Sequence, residues 1–295
     1  MRITQSMMQD NLLRQIFNSQ AQMDKYLTQI TTGKKIRRPS EDPVVAMKGI
    51  SYRTEVAEVE QYRRNASEIW TWMDHSDDVL DKASKAMQRI EELAIQAAND
   101  TYTPNERRSI QEEVKELRDQ LVELANTQVH GKYIFNGTHT DIPRIIEEDG
   151  EFTVNPEAEP LNDVLIEVAK GIEFPANVDP TGIFDDELFE HIQNFIDNLG
   201  SDEAVDFNEN ISELRESTLN IINGRAKLGA RMNRLELVED RLSHQEVIAQ
   251  DIMAKNEGVD FEEAVMNLLT QEVVHRAALA AGTKIIQPSL IDFLR

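Results

Sequence analysis

Apolar residues recur at alternating intervals of three and four through a long stretch of the chain. Ser76 is the only polar residue in this series, which comprises Val59, Tyr62, Ala66, Ile69, Met73, Ser76, Leu80, Ala83, Met87, Ile90, Ala94 and Ala97. The spacing is typical of a coiled-coil seam. Between Val44 and Ala98 the chain has no proline and a single glycine, Gly49. The stretch therefore predicts one helix of about 50 residues, which at about 1.5 Å per residue would be a rod roughly 75 Å long.

Further helices are predicted by the same spacing. A second seam follows a short turn near Pro104 and runs through Ile110, Val114, Leu117, Leu121 and Leu124. Because the connection is short, these two helices should form an antiparallel hairpin. A third seam, from Ile211 to Leu242, is weaker because three of its positions are polar: Thr218, Arg225 and Glu239. A last helix should begin near Phe261.

The middle of the chain breaks the helical pattern. Glycine, proline and short apolar runs dominate from Gly131 to Phe184, and Asn136-Gly137 and Asp149-Gly150 are turn pairs typical of hairpins. A short helix ending at Gly200 should close this part. The predicted fold is mainly α: a long antiparallel coiled-coil-like helical rod built from both ends of the chain, with a small β-rich inserted domain. The expected divisions are terminal helical segments at 1–45 and 255–295, a rod at 46–138 and 203–254, and the insertion at 139–202.

Both ends of the chain carry apolar stripes on predicted helices. Each stripe could be buried against the other, but a pair of helices has a small core, so we expect these ends to become fully ordered only when a partner covers them. The residues predicted to pack the terminal helices are Ile3, Leu13, Ile16, Leu27 and Ile30 at the start, and Val265, Leu268, Leu290 and Phe293 at the end.

Composition excludes several classes of function. The chain has 54 acidic and 31 basic residues, a formal net charge of -23, which argues against binding nucleic acid or an anionic membrane. It has no cysteine, so disulfides, zinc–thiolate sites and thiol catalysis are excluded. No apolar run approaches the roughly 18 to 20 residues of a membrane helix, so membrane insertion is not expected. The N-terminus lacks the pattern of a Sec signal peptide, so any export should use another route.

The sequence contains no recognisable catalytic motif. The sequence TTGKK resembles the end of a phosphate-binding loop, but Thr28 stands in place of the first glycine and Lys35 in place of Ser or Thr. The six histidines are scattered without metal-ligand spacing, and the acidic pairs are those expected on solvated helix faces. We therefore predict no catalytic, cofactor-binding or metal-binding residue. An enzyme housed in the β-rich part remains an alternative without named residues.

Several motifs resemble the flagellin superfamily. LTQITTGKKIRRPSEDPVVA is similar to its N-terminal signature, and the two prolines, Pro39 and Pro43, favour the hook–filament junction branch over flagellin proper. The hairpin sequence ending in GKYIFNGT, the segment GRAKLGARMNRLE and the C-terminal RAALAAGTKIIQPSLIDFL also resemble that superfamily, although Pro288 departs from its usual tail. The likeness covers roughly residues 1–140 and 205–295.

The resemblance implies a structural adapter subunit of the bacterial flagellum that acts by helix–helix polymerisation. The implied partners are other copies in a ring, the first hook-associated protein, flagellin, and an export chaperone on the C-terminal region. The implied location is extracellular, after export through the flagellar type III channel. A flagellin-type filament subunit is the alternative.

The stretch Gln88 to Gln96 also resembles the flagellin surface recognised by an innate immune receptor, with matches at Arg89, Leu93 and Glu113 and a departure at Glu91. Subunit packing is the other interpretation of this stretch.

The basic stretch after the first helix is interpreted as an assembly hinge. Gly33 can end that helix in a left-handed cap, Asp42 can cap the next helix with Pro43 in its first position, and Pro39 stiffens the link. Four basic residues follow Gly33: Lys34, Lys35, Arg37 and Arg38. They either bind acidic faces of neighbouring subunits or, for the two lysines, compensate the negative end of the first helix. The hinge residues are Gly33, Lys34, Arg37, Pro39, Asp42 and Pro43.

Overall fold

The computed structural model describes residues 5–99, 104–148, 150–158, 160–201 and 207–286. Its helices and strands are α1 (Gln5–Thr32), α2 (Pro43–Ala97), α3 (Pro104–Ala125), β1 (Gln128–Val129), β2 (Lys132–Tyr133), β3 (Ile145–Glu148), β4 (Glu151–Val154), β5 (Leu165–Ala169), β6 (Ile172–Pro175), α4 (Asp186–Gly200), α5 (Asn208–Glu257) and α6 (Phe261–Ile286), with a 3-10 turn at Pro156–Ala158. The predicted mainly α fold, with long helices from both ends and short strands in the middle, is confirmed.

The chain divides into two compact units. The terminal unit consists of Met1–Glu58 and Gln245–Arg295, and the central unit of Val59–His244. The three predicted divisions of the chain stay predictions.

The predicted seam of α2 forms the core of the central unit. Its positions from Ala66 to Ala97 are buried, including the polar Ser76, whose hydroxyl donates to the carbonyl oxygen of Trp72. On α3, Ile110, Val114 and Leu121 are buried too. The regular spacing therefore identifies the face of each helix that is buried.

In the central unit, α5 lies antiparallel to α2. Arg215 donates to Glu91, Arg225 to Asp77 and Asp81, and Trp70 to Glu239. Residue numbers on α2 fall along this series while those on α5 rise, which requires opposite helix directions. Two of the polar positions of the third seam, Arg225 and Glu239, thus have partners on α2.

The described residues in the middle of the chain form three separate antiparallel hairpins, which pair β1 with β2, β3 with β4 and β5 with β6. The pair Asp149-Gly150 lies between β3 and β4 as predicted, although Asp149 itself is outside the described residues. The hairpin predicted at Asn136-Gly137 is wrong, because no pair of strands flanks it.

Gly137 instead serves a close backbone approach. Its φ is 54°, and a Cβ there would lie 2.2 Å from the carbonyl oxygen of Asn162. The β1–β2 turn uses His130 and Gly131, both at positive φ. Glycine in this sequence therefore marks a contact as well as a turn.

Phenylalanines pack the middle of the chain onto the central helices. Helix α4 begins after the N-cap Asp185 and ends at Gly200, as expected. On α3, the side-chain amide of Gln111 donates a hydrogen bond to the carbonyl oxygen of Ile196 in α4 at 2.9 Å. The fully buried aromatic side chains are Phe135, Phe174, Phe184, Phe189 and Phe195.

In the terminal unit, α1 and α6 lie antiparallel. The end of α1 is next to the start of α6, and Leu12, near the start of α1, contacts Gly282 near the end of α6. Leu12, Ser19 and Ala264 are buried in this unit.

Candidate functional site

The connector, residues 33–42, joins α1 to α2 with caps that the sequence specifies. Gly33 has a φ of 69° and its N–H donates to the carbonyl oxygen of Gln29 at 2.8 Å. At the other end, one carboxylate oxygen of Asp42 accepts from the N–H groups of Val44 and Val45, each at 3.0 Å, and Pro43 is the first residue of α2. These bonds satisfy backbone groups that helix ends leave unpaired.

The connector is fixed to the short segment between α5 and α6. The N–H of Lys35 donates to the carbonyl oxygen of Glu257 at 2.7 Å, and the N–H of Val259 donates to that of Gly33 at 3.0 Å. Lys34 and Gly258 form an antiparallel bridge between these bonds. The chain just after α1 is thus linked through backbone pairing to the end of α5.

Glu257 is the polar centre of this joint. Arg53 donates two hydrogen bonds to its carboxylate, both 2.6 Å long, and the amino group of Lys34 lies 3.9 Å away. Its side chain is only 15% exposed. The hydrogen bonds from Arg53 lower the pKa of Glu257 below its ordinary value, against the effect of burial, and they raise the pKa of Arg53.

Two glycines allow this approach. A Cβ on Gly49 would lie 3.0 Å from a carboxylate oxygen of Glu257, and one on Gly258 would lie 2.5 Å from the carbonyl oxygen of Ala254. These glycines, Arg53 and Glu257 are not among the site residues predicted from the sequence. Arg53 and Glu257 are 204 residues apart, and no local pattern connects them.

The other basic side chains of the connector face solvent. Lys34, Lys35, Arg37 and Arg38 are all exposed. Of these four side chains, only that of Lys34 lies within 4 Å of an acidic side chain of the described residues. The N–H of Arg37 donates to the carboxylate of Glu41, but that bond uses the backbone and leaves the guanidinium available.

The predicted packing residues of the terminal helices have mixed exposure. Leu13 and Leu27 are exposed, whereas Ile16, Ile30, Val265 and Leu268 are partly buried. Ile3, Leu290 and Phe293 lie outside the described residues. Other large apolar side chains on these helices also face solvent: Met7, Met8, Phe17, Phe261, Met266, Leu269, Val273, Val274 and Leu279.

The stretch from Gln88 to Gln96 is built into the central unit. Leu93 is buried, Arg89 donates to Glu113 at 2.8 Å, and Glu91 accepts from Arg215. Two of the three matching side chains therefore make an intramolecular contact of the hairpin. Subunit packing stays the expected role of this stretch, and recognition by an immune receptor the alternative.

The described residues offer no group of three or more His, Asp or Glu side chains that could hold a metal ion. None of the helices within the described part of the chain is both long and apolar enough to cross a membrane.

Comparison with known proteins identifies the family. Residues 3–140 match the model of the bacterial flagellin N-terminal helical region, and residues 209–294 match that of the C-terminal helical region. The chain belongs to the bacterial flagellin family. The superfamily predicted from the motifs is therefore confirmed. Residues between 140 and 209, which include β3 to β6 and α4, lie in neither match.

Individual flagellin-family relatives match nearly the whole chain. Flagellar hook-associated protein 3 of Escherichia coli is 27% identical over 96% of each chain, and that of Salmonella typhimurium is 25% identical over all of each chain. Relatives named flagellin match smaller shares of this chain, 53% and 82% in two of them.

A solved structure supports the fold of this flagellin-family chain. A putative flagellar hook-associated protein from Vibrio parahaemolyticus superimposes with a TM-score of 0.67, covering 74% of this chain and all of the other at 21% identity. The family consists of structural flagellar proteins, which places the chain in the bacterial flagellum.

Proposed function

We propose that the chain is a structural adapter subunit that joins the hook-associated proteins to the flagellin filament. The observation that carries this proposal is its likeness, over 96% of both chains, to flagellar hook-associated protein 3 of Escherichia coli. Flagellins match less of the chain.

The terminal helices supply a means of assembly. Phe17, Met266 and Val273 are 65%, 61% and 63% exposed. Large apolar side chains in contiguous exposed patches usually mark surfaces that another molecule covers. Helix–helix packing between copies would remove these side chains from water, which agrees with an adapter that acts by polymerisation.

The adapter has four kinds of partner in this proposal. Other copies form a ring with it, the first hook-associated protein lies on one side of the ring, and flagellin lies on the other. An export chaperone holds the C-terminal region before the chain leaves the cell through the flagellar type III channel. The final location is extracellular. The absence of cysteine from the chain is compatible with this route.

A flagellin-type filament subunit is the second candidate, favoured by the matches of both ends to flagellin models. The two functions differ in what the purified chain does. A filament subunit forms long filaments unaided, whereas an adapter does not extend beyond its ring.

The test is deletion of the gene in the bacterium that carries it. The adapter function predicts cells with hooks that release flagellin into the medium, and a plasmid copy of the gene should restore attached filaments. A strain lacking only flagellin is the control, since it should keep hooks and release nothing. Normal filaments in the deletion strain would refute the adapter function.

A further inference from the structure

The start of α2 extends the connector into a surface that is both basic and apolar. Val44, Met47 and Ile50 are 62%, 73% and 64% exposed. Residues three apart lie on the same side of a helix, so these side chains form one stripe. Arg37 and Arg38 line a cavity of about 140 Å³ together with Ile50, which places the cations beside the stripe. We call the four connector cations and these three apolar residues the basic surface.

The charge of this surface is opposite in sign to the net charge of the chain. With a formal net charge of -23, another copy of the chain is an acidic partner. Within its own described residues the basic surface has one weak ion pair, that of Lys34 with Glu257 at 3.9 Å. Opposite potentials steer association and select the register of a contact. The apolar stripe adds area that a purely ionic contact would lack.

A groove between α4 and α5 in the central unit has the complementary charge. Its volume is about 330 Å³, and its acidic lining residues are Asp185, Glu187, Glu190, Glu213 and Glu216. No Lys or Arg lines it, and its histidine, His191, is hydrogen-bonded to Ser217 at 3.0 Å. None of the five carboxylates forms an ion pair with a described residue. Cations from outside would reduce the repulsion between them.

We propose that the basic surface of one copy docks on the α4–α5 groove of a neighbouring copy. This inference rests on the proposed function, since it supplies the contact between ring subunits. The two surfaces differ, so the contact is heterologous, and such contacts generate a ring when the rotation between copies closes. The lining residues up to Asn194 belong to the part of the chain that neither flagellin model matches, whereas Glu213 and Glu216 on α5 lie within the C-terminal match. The docking contact thus gives the middle of this chain a part in selecting its neighbours.

Crosslinking tests the contact directly, because the chain has no cysteine of its own. Two single-cysteine copies, Arg38→Cys and Glu216→Cys, replace the native gene in one strain, and isolated flagella are treated with a short bismaleimide. A disulfide is avoided because it needs Cβ atoms about 3.8 Å apart. We expect a crosslinked dimer containing one copy of each variant. The matched control replaces Glu216→Cys with Lys170→Cys, at an exposed position away from the groove.

The two proposals fail differently in this experiment. Attached filaments without a mixed dimer above the control overturn the docking contact and leave the adapter function intact. Normal filaments after deletion of the gene overturn the adapter function whatever the crosslinking shows.

Charge exchange on the purified full chain gives a second measurement. Lys35→Glu with Arg37→Glu should weaken self-association in sedimentation experiments by about tenfold, as two partly exposed ion pairs allow. Adding Glu187→Lys and Glu213→Lys on the other copy should restore it. Lys132→Glu with Lys170→Glu changes the net charge equally and should have no effect. Equal weakening by this control pair, or no recovery on charge exchange, contradicts the docking contact.

Discussion

Gly224 and Gly229 lie on the same helix and form a matched pair for testing how closely the middle of the chain packs on α5. Alanine at Gly224 would place its Cβ 2.3 Å from Cδ1 and 3.0 Å from Cγ1 of Ile183, a side chain that is 3% exposed. Alanine at Gly229 would meet no atom within 4 Å. The added methyl group therefore clashes with a buried side chain at position 224 and has open space at position 229.

The expected free energies of unfolding follow from these distances. Replacing glycine by alanine inside a helix stabilises it by about 1 kcal/mol, which is the expected result at Gly229. At Gly224 the gain is opposed by overpacking, which costs about 1 to 3 kcal/mol. Gly224→Ala should therefore be less stable than Gly229→Ala by about 1 to 3 kcal/mol, or on the order of 2 to 10 °C in the melting temperature for a unit of this size.

Tryptophan fluorescence is a suitable assay, because both tryptophans, Trp70 and Trp72, belong to the central unit that contains α5 up to His244. Urea unfolding of the full chain followed at this signal reports that unit alone.

Removing the crowding atom gives a rescue. Ile183→Val deletes Cδ1 and should cost about 0.5 to 1.5 kcal/mol alone. The double variant Ile183→Val with Gly224→Ala should be more stable than the sum of the two single changes predicts, by a coupling energy of roughly 1 to 2 kcal/mol. The reasoning is refuted if Gly224→Ala stabilises the central unit as much as Gly229→Ala, or if the two changes are simply additive.

Two predictions concern the terminal unit. Because the pKa of Glu257 is lowered in the folded chain, its ion pair stabilises this unit fully at pH values above the unfolded pKa of about 4.3, and this contribution is lost as the pH falls through the lower folded pKa. NMR titration of the carboxyl carbon should show that low midpoint, and Arg53→Met should raise it. An unmoved midpoint in that variant would exclude Arg53 as the cause. Gly33→Ala should lower the free energy of opening of the last turn of α1, measured by amide hydrogen exchange, by about 1 kcal/mol, because a side chain is strained at a φ of 69°. Gly33→Asn should lower this free energy by less, because asparagine tolerates the left-handed conformation better. Equal losses in the two variants would contradict the role of the left-handed cap.

Features determined by neighbouring residues could be predicted from the sequence. The spacing of α2 identified its buried face, and Asp42 before Pro43 identified the start of that helix, because both depend on local geometry. The hairpin wrongly placed at Asn136-Gly137 shows the limit of such signals. Gly137 is required by the carbonyl oxygen of Asn162, and that contact is set by tertiary packing.

The joint around Glu257 could not be predicted for the same reason. Its partner Arg53 and the glycine that makes room for it, Gly49, are on another helix, about 200 residues earlier in the chain. In the sequence these residues look like ordinary members of solvated helix faces. Only the folded chain shows that the basic connector and α2 meet at one carboxylate at the end of α5.

The polar residues of the third seam explain how α5 finds its register on α2. A repeat of apolar residues fits almost equally well when one helix slides by seven positions, so it specifies a face more strongly than an alignment. Arg225 with Asp77 and Asp81, and Glu239 with Trp70, are all paired in one alignment. A slip of one heptad would separate these groups and leave partly buried charges without partners, which is costly. Two of the three polar positions that weaken the sequence pattern, Arg225 and Glu239, therefore fix the alignment of the two helices, whereas the hydroxyl of Thr218 donates to the carbonyl oxygen of Leu214 in its own helix.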